Sequence, residues 1–133
     1  MHRNFLVTGA LLSGIAVILG AFGAHGLQKI TSEEKIVQGF QTAVQYQLWH
    51  SFALMLTGVL YSGAFSPRLL RWAAICFITG IFLFSGSLYL LGFLKIQESP
   101  VVKIAGPVTP VGGLFFILGW LILVIALLKK KAS

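Results

Sequence analysis

The sequence predicts an all-α integral membrane protein: a four-helix bundle with a short amphipathic helix between spans one and two. Three observations carry that reading. Asn4 to Gln28, Ile36 to Pro67, Trp72 to Leu94 and Ile104 to Leu128 contain no Asp, Glu, Lys or Arg, and each exceeds the roughly 20 residues that cross a hydrocarbon core. Mean hydropathy is +0.92, with 57% hydrophobic residues. Basic residues gather where these stretches end, at Arg68, Arg71 and the run Lys129, Lys130, Lys131, as expected of side chains that snorkel to lipid headgroups. The 133 residues therefore read as a single membrane domain, 1–133, with spans at about 5–28, 43–65, 72–94 and 109–128 and no room for a soluble domain.

The first helix carries small residues at Gly9, Ser13, Ala16, Gly20 and Gly23, steps of three and four that draw one seam for close helix packing. Ala10, Gly14, Ala21 and His25 draw a second. Leu11, Ile15, Ile18 and Phe22 form a bulky stripe suited to lipid. Two small faces predict a central position for this helix. Next, Thr31 and Glu34 resemble a capping box, and Ile36, Val37, Phe40, Ala43 and Val44 give one apolar face, so this segment reads as the amphipathic interfacial helix. Glu33 and Glu34 suit its dipole-positive start. An equal alternative is that the segment simply lengthens the second span.

In the second span Gln47, His50, Thr57 and Tyr61 form a polar stripe interrupted by Leu54. Polar groups in hydrocarbon turn inward because an unpaired one costs several kcal/mol. The third helix repeats the small-residue device with Ala73, Gly80 and Ser87. The fourth opens on Gly106 to Gly113, where Thr109 reads as the N-cap and Pro110 as the first helical residue.

The net charge of +7, from ten basic and three acidic residues, would suggest nucleic acid in a soluble chain; here it fits anionic lipid. There is no nucleic-acid motif. The lone Cys76 excludes an internal disulfide and a cysteine-built metal cage. Arg3 followed by an apolar run imitates a signal peptide, but the run is longer than a signal core, so the first span is read as retained. Arg3, Arg68, Arg71 and Lys129 to Lys131 fall on one side, and Lys29, Lys35, Lys95 and Lys103 on the other. The larger set marks the cytoplasm, which places both termini of a multi-pass protein there. Glu33, Glu34 and Glu98 lie on the outer side.

At about 1.5 Å per residue, His25 and His50 lie roughly 5 and 10 Å inside the outer ends of their helices, with Ser87 and Tyr89 at comparable depth. With the Thr109 turn, all four helices bring polarity to one half of the bilayer. This predicts an outer-half cluster of His25, Tyr46, Gln47, His50, Ser85, Ser87, Tyr89 and Thr109. It is either interhelical glue or a pocket for a lipid headgroup, a quinone or another small hydrophobic or anionic ligand. Two histidines could ligate a haem, but nothing else in the sequence asks for one. Catalytic zinc usually takes three ligands, and His2 sits at the opposite surface. Ser85 or Ser87 beside His50 lacks the carboxylate that would orient such a base. No Asp or Glu lies in a span to relay protons. No metal and no cofactor are predicted.

The motifs GAFGAHGL (Gly20 to Leu27), YQLWHSFAL (Tyr46 to Leu54), FSGSLYLL (Phe84 to Leu91) and GPVTPVGGLFFILGW (Gly106 to Trp120) resemble the domain of unknown function 423 family. These are small bacterial inner-membrane proteins with mitochondrial transmembrane relatives. The resemblance spans essentially the whole chain. It implies a four-span protein of uncharacterised activity, and it supplies no catalytic or ligand-binding residues. The motif positions His25, Tyr46, Gln47, His50, Ser85, Gly86, Ser87, Tyr89, Pro107, Thr109, Pro110 and Gly112 coincide with the outer-half cluster. The expected function is a non-enzymatic structural or accessory component of the membrane, acting by self-association or within a larger membrane complex. The alternative is a binding or transport protein that uses the cluster as its pocket.

Overall fold

A computed structural model describes residues 1–129, which form four helices and no strand among the described residues. We number them α1 (Arg3–Ile30), α2 (Glu34–Leu60), α3 (Pro67–Ile96) and α4 (Val102–Leu128). Helices α1, α3 and α4 are long and apolar enough to cross a membrane. Helix α2 has 27 residues, about 40 Å at 1.5 Å per residue, and is the most polar of the four. Short connections make sequence neighbours antiparallel: α1 packs chiefly on α2, α2 on α3 and α3 on α4.

The buried face of α2 explains this order. Ile36, Phe40, Ala43, Gln47, His50, Leu54 and Thr57 are all buried, and their alternating steps of four and three make one continuous seam. The segment read as a separate amphipathic helix is therefore the first part of α2, and that expectation is corrected. No proline interrupts the seam, and the polar stripe of the span prolongs the apolar face of the segment. The capping box is absent too. The Glu33 N–H donates to Thr31 Oγ1 at 3.2 Å in a local turn, while Glu34 accepts from Gln38 Nε2 at 2.8 Å. The C-terminal end of α2 is Leu60, because Tyr61 to Ala64 turn towards α3.

On α1 the first small seam meets α2. A Cβ on Gly9 would run into Met55 and the Ser51 carbonyl, and one on Gly23 into the Phe40 ring. The second small face meets nothing: Ala10, Gly14, Ala21 and His25 are exposed, and a Cβ on Gly14 would find no neighbour within 4 Å. The predicted central position of α1 is thus corrected to an edge position. The cause lies at the other end of the chain, where glycines bind α3 so closely to α4 that only α2 remains for α1. Gly80 lies against Phe116, Gly119 against Phe77, and Gly112 against the backbone of Leu83 and Phe84. Leu11, Ile15, Ile18 and Phe22 are exposed as the lipid stripe requires.

Two wide π turns interrupt the helices, at Phe22–Gly26 in α1 and Ile81–Ser85 in α3. Such single-turn bulges locally re-aim the side chains that follow. Helix α4 starts earlier than expected. Val102–Ala105 is already helical, and after Gly106 and Pro107 the helix runs on from Val108. Thr109 therefore lies inside the first turn of the segment that resumes at Val108, its N–H directed to the Gly106 carbonyl at 3.3 Å, and it is not the N-cap. Pro107 and Pro110 both fit because N–H groups in a first turn have no helical partner to lose. Lys130 and Lys131 of the terminal basic run lie outside the described residues.

The two glycine environments predict unequal outcomes for one substitution. Gly112→Val should destabilise the bundle by about 1–3 kcal/mol or more, because backbone stands where its Cβ would go. Gly14→Val should cost clearly less, because no atom of another helix lies within 4 Å of where its Cβ would go. Circular dichroism melts of both variants measure this, and equal losses would refute the edge position of α1.

Candidate functional site

Gln47 stands at the centre of the polar cluster. Its position on the α2 seam buries it to 3% exposure, in a place where an amide must find partners for both its ends. Gln47 Nε2 donates to the Leu12 carbonyl of α1 at 2.8 Å, and Gln47 Oε1 accepts from the Tyr89 hydroxyl of α3 at 2.8 Å. One side chain thereby ties three helices. The Gln47 carbonyl in turn accepts from Ser51 Oγ at 2.6 Å.

One turn further along the same seam, His50 is 5% exposed. Its Nδ1 lies 2.7 Å from the Tyr46 carbonyl, and its Nε2 lies 3.1 Å from the Trp120 indole nitrogen of α4. A carbonyl only accepts and an indole N–H only donates. The imidazole is therefore neutral, with its proton on Nδ1. The ring also lies flat on Phe116, centroids 3.5 Å apart and planes 12° apart, with Tyr46 stacked at 5.8 Å on the preceding turn. One nitrogen is bonded within α2, and the other nitrogen and the flat ring face pack α2 against α4.

Ser85 and Ser87 divide between neighbours. Residues two apart on a helix point about 200° away from each other, which suits a helix held between two others. Ser85 Oγ donates to the Ala43 carbonyl of α2 at 2.7 Å. Ser87 Oγ pairs with Thr109 Oγ1 of α4 at 2.6 Å and also donates to the Phe84 carbonyl at 2.9 Å. Thr57 is fully buried and bonds back to the Leu54 carbonyl at 2.7 Å.

Seven of the eight predicted residues thus meet inside the bundle: Gln47 with Tyr89, Tyr46 with His50, and Ser87 with Thr109 in direct contact, and Ser85 on the α2 backbone. His25 does not join them. It is exposed in the π turn of α1, its Nδ1 3.3 Å from the Ala21 carbonyl of its own helix. Its inclusion assumed an unbroken α-helix with two buried faces, and neither condition holds. Tyr61, placed on the polar stripe, stands in the turn beyond α2 and meets the edge of the His2 ring at 4.8 Å. Trp120 was missed. The signal for it was an indole far from either end of α4, where its N–H needs an acceptor; nothing in the sequence pointed to His50 as that acceptor.

Among the described residues no group of three His, Cys, Asp or Glu could hold a metal ion. The space beside the cluster is apolar. A cavity of about 220 Å³ between α1, α2 and α3 is lined by Phe22, Leu27, Phe40, Tyr89, Phe93 and Ile96 among others, with the Tyr89 hydroxyl already given to Gln47.

Residues 19–113 match the model of the family described as "Protein of unknown function (DUF423)". The chain is 42% identical over 127 residues to a UPF0382 membrane protein of Staphylococcus aureus (strain bovine RF122 / ET3-1), covering 96% of this chain and 97% of that one. It is 43% identical over 127 residues to a UPF0382 membrane protein of Staphylococcus epidermidis (strain ATCC 12228 / FDA PCI 1200), with the same coverage. To the UPF0382 membrane protein YwdK of Bacillus subtilis (strain 168) it is 40% identical over 131 residues, covering 96% and 98%. No solved structure matches.

The Gln47–Tyr89 bond is open to a double-mutant cycle. Gln47→Leu should cost more stability than Tyr89→Phe, because it also removes the bond to the Leu12 carbonyl and takes the acceptor from the Tyr89 hydroxyl. Their coupling should fall at about 0.6–1.7 kcal/mol, the range for hydrogen bonds between membrane helices. Reversible unfolding in mixed micelles measures it, and a coupling of zero would mean that the two side chains do not pair.

Proposed function

Since this chain belongs to the DUF423 family and its relatives are named membrane proteins, we propose that it is a non-enzymatic structural or accessory component of the bacterial inner membrane, with all four helices spanning. One observation carries the reading. The polar groups that a ligand or substrate would need already have partners within the protein: both ends of Gln47, both nitrogens of His50, the Tyr89 hydroxyl and the Ser87–Thr109 pair.

Spanning by α2 is supported by its length and its position between α1 and α3, which shields the polar seam from lipid. The charge distribution supports cytoplasmic termini. The end of the bundle formed by the N-terminus and the α2–α3 turn carries Arg3, Arg68, Arg71 and Lys129, while Glu33, Glu34 and Glu98 all belong to the other end. The accessory role is supported by the outer face of α1. Lipid asks for bulk, not for small residues, and the exposed Ala10, Gly14 and Ala21 serve no contact inside the bundle. A close-approaching helix of a second copy is what such a face accommodates.

The alternative, a binding or transport protein, draws support from the apolar cavity beside Tyr89. Its walls would favour a hydrocarbon chain over an anion.

Isolation in mild detergent tests the proposal. The full chain should run as an oligomer or carry a partner protein. Gly14→Ile should release a monomer with an unchanged helical signal, since nothing inside the bundle opposes the added side chain. A monomer without partners before any substitution would defeat the accessory reading. His50→Ala should lower stability and alter no bound ligand; loss of a co-purifying molecule would favour the alternative.

A further inference from the structure

We propose that the cleft between the α2–α3 turn and the start of α3 is a site for the phosphodiester headgroup of an anionic phospholipid. It encloses about 450 Å³ and is lined by Tyr61, Pro67, Arg68, Arg71, Trp72 and Ile75. The inference rests on membrane placement alone and stands apart from the accessory role.

Arg68 and Arg71 are three residues apart and so share a face of α3, where two like charges repel each other. A carboxylate between them would relieve that repulsion, yet none of the chain's three acidic residues belongs to this end of the bundle. Arg71 is also held in place. Its Nη2 donates to the Tyr61 hydroxyl at 3.0 Å, and the Tyr61 ring is packed against Phe5 and His2, so the contact reaches from α3 back to the first turn of α1. Among the described residues the other guanidinium donors have no partner, and phosphate oxygens suit their planar fork.

The other wall of the cleft identifies the source of the phosphate. Trp72 and Ile75 continue down the same helix from the arginines, 52% and 41% exposed. An acyl chain running beside them keeps its phosphate at the arginine level, with the indole in the interfacial position that tryptophan favours. Free phosphate makes no use of that wall, and a choline headgroup would bring a third cation to the pair. The lysines of the opposite end differ in setting, since Lys29, Lys35, Lys95 and Lys103 share their loops and helix ends with Glu33, Glu34 and Glu98.

Native mass spectrometry of the full chain, released from vesicles of equal phosphatidylglycerol and phosphatidylcholine with matched acyl chains, tests the proposal. Phosphatidylglycerol should be retained in preference. Arg68→Gln/Arg71→Gln should lower that preference by roughly fivefold per arginine, and Lys95→Gln/Lys103→Gln should leave it unchanged. Tyr61→Phe keeps both charges and frees Arg71, so it should weaken the preference with the helical signal intact; it serves as the reporter where the double arginine variant fails to fold. Equal retention of the two lipids, an equal loss in the lysine variant, or no loss in Tyr61→Phe would each overturn the site. Displacement of phosphatidylglycerol by millimolar inorganic phosphate would reassign it to free phosphate.

Discussion

The arrangement of the bundle follows from one constraint: the Gln47 amide is held in a place without water. An amide has donors at one end and an acceptor at the other, and hydrocarbon offers neither partner. Gln47 finds them on α1 and α3, so α2 must lie between those two helices. His50, one turn along, fixes α4 through Trp120. In lipid there is little hydrophobic drive to bring helices together. A polar seam on one helix is a way to specify neighbours that an all-apolar helix lacks.

Close packing supplies the complement. Helix α3 meets α4 through Gly80, Gly112 and Gly119 against aromatic rings and backbone, and this contact positions Phe116 under the His50 ring. The polar and steric devices are therefore coupled. The stacked ring holds the imidazole in the orientation that its two hydrogen bonds demand, and the imidazole in turn fills the space next to a ring that Gly80 admits. The π turn of α3 ends on Ser85 in the same region, where Ser85 and Ser87 diverge to α2 and α4.

Much of this was legible in the sequence because hydropathy and residue size are local properties. The four uncharged stretches mark all four helices, the steps of Gly9, Ala16 and Gly23 mark the face of α1 that meets α2, and Gln47, His50 and Thr57 are turned inward as hydrocarbon requires. What failed depended on choices among neighbours. A small face states that a helix can be approached, not that one of the three others will do so; α3 is taken by α4, which leaves Ala10 and Gly14 uncovered. The position of His25 depended on the π turn at Phe22–Gly26, and the start of α4 on the helical turn Val102–Ala105 that precedes Gly106 and Pro107. Neither leaves a mark in residue periodicity, because each adds or keeps a single turn. The Trp120–His50 bond joins residues seventy positions apart, a distance at which periodicity carries no information.

A bundle whose interior polar groups are bonded to each other has little left inside with which to recognise anything. Recognition then falls to the surface, and the surface is uneven in two ways. Along the membrane normal, one end gathers arginines and none of the three glutamates, while the other mixes lysines with glutamates. Within the membrane plane, α1 exposes small residues while the lipid-facing side of α4 exposes Leu114, Ile117, Leu121 and Val124. The bulky face gains from contact with acyl chains, whereas a face of Ala10, Gly14 and Ala21 gains more from a second backbone at short range. On the proposed reading, a partner would meet the small face of α1, and a bound lipid the arginine end.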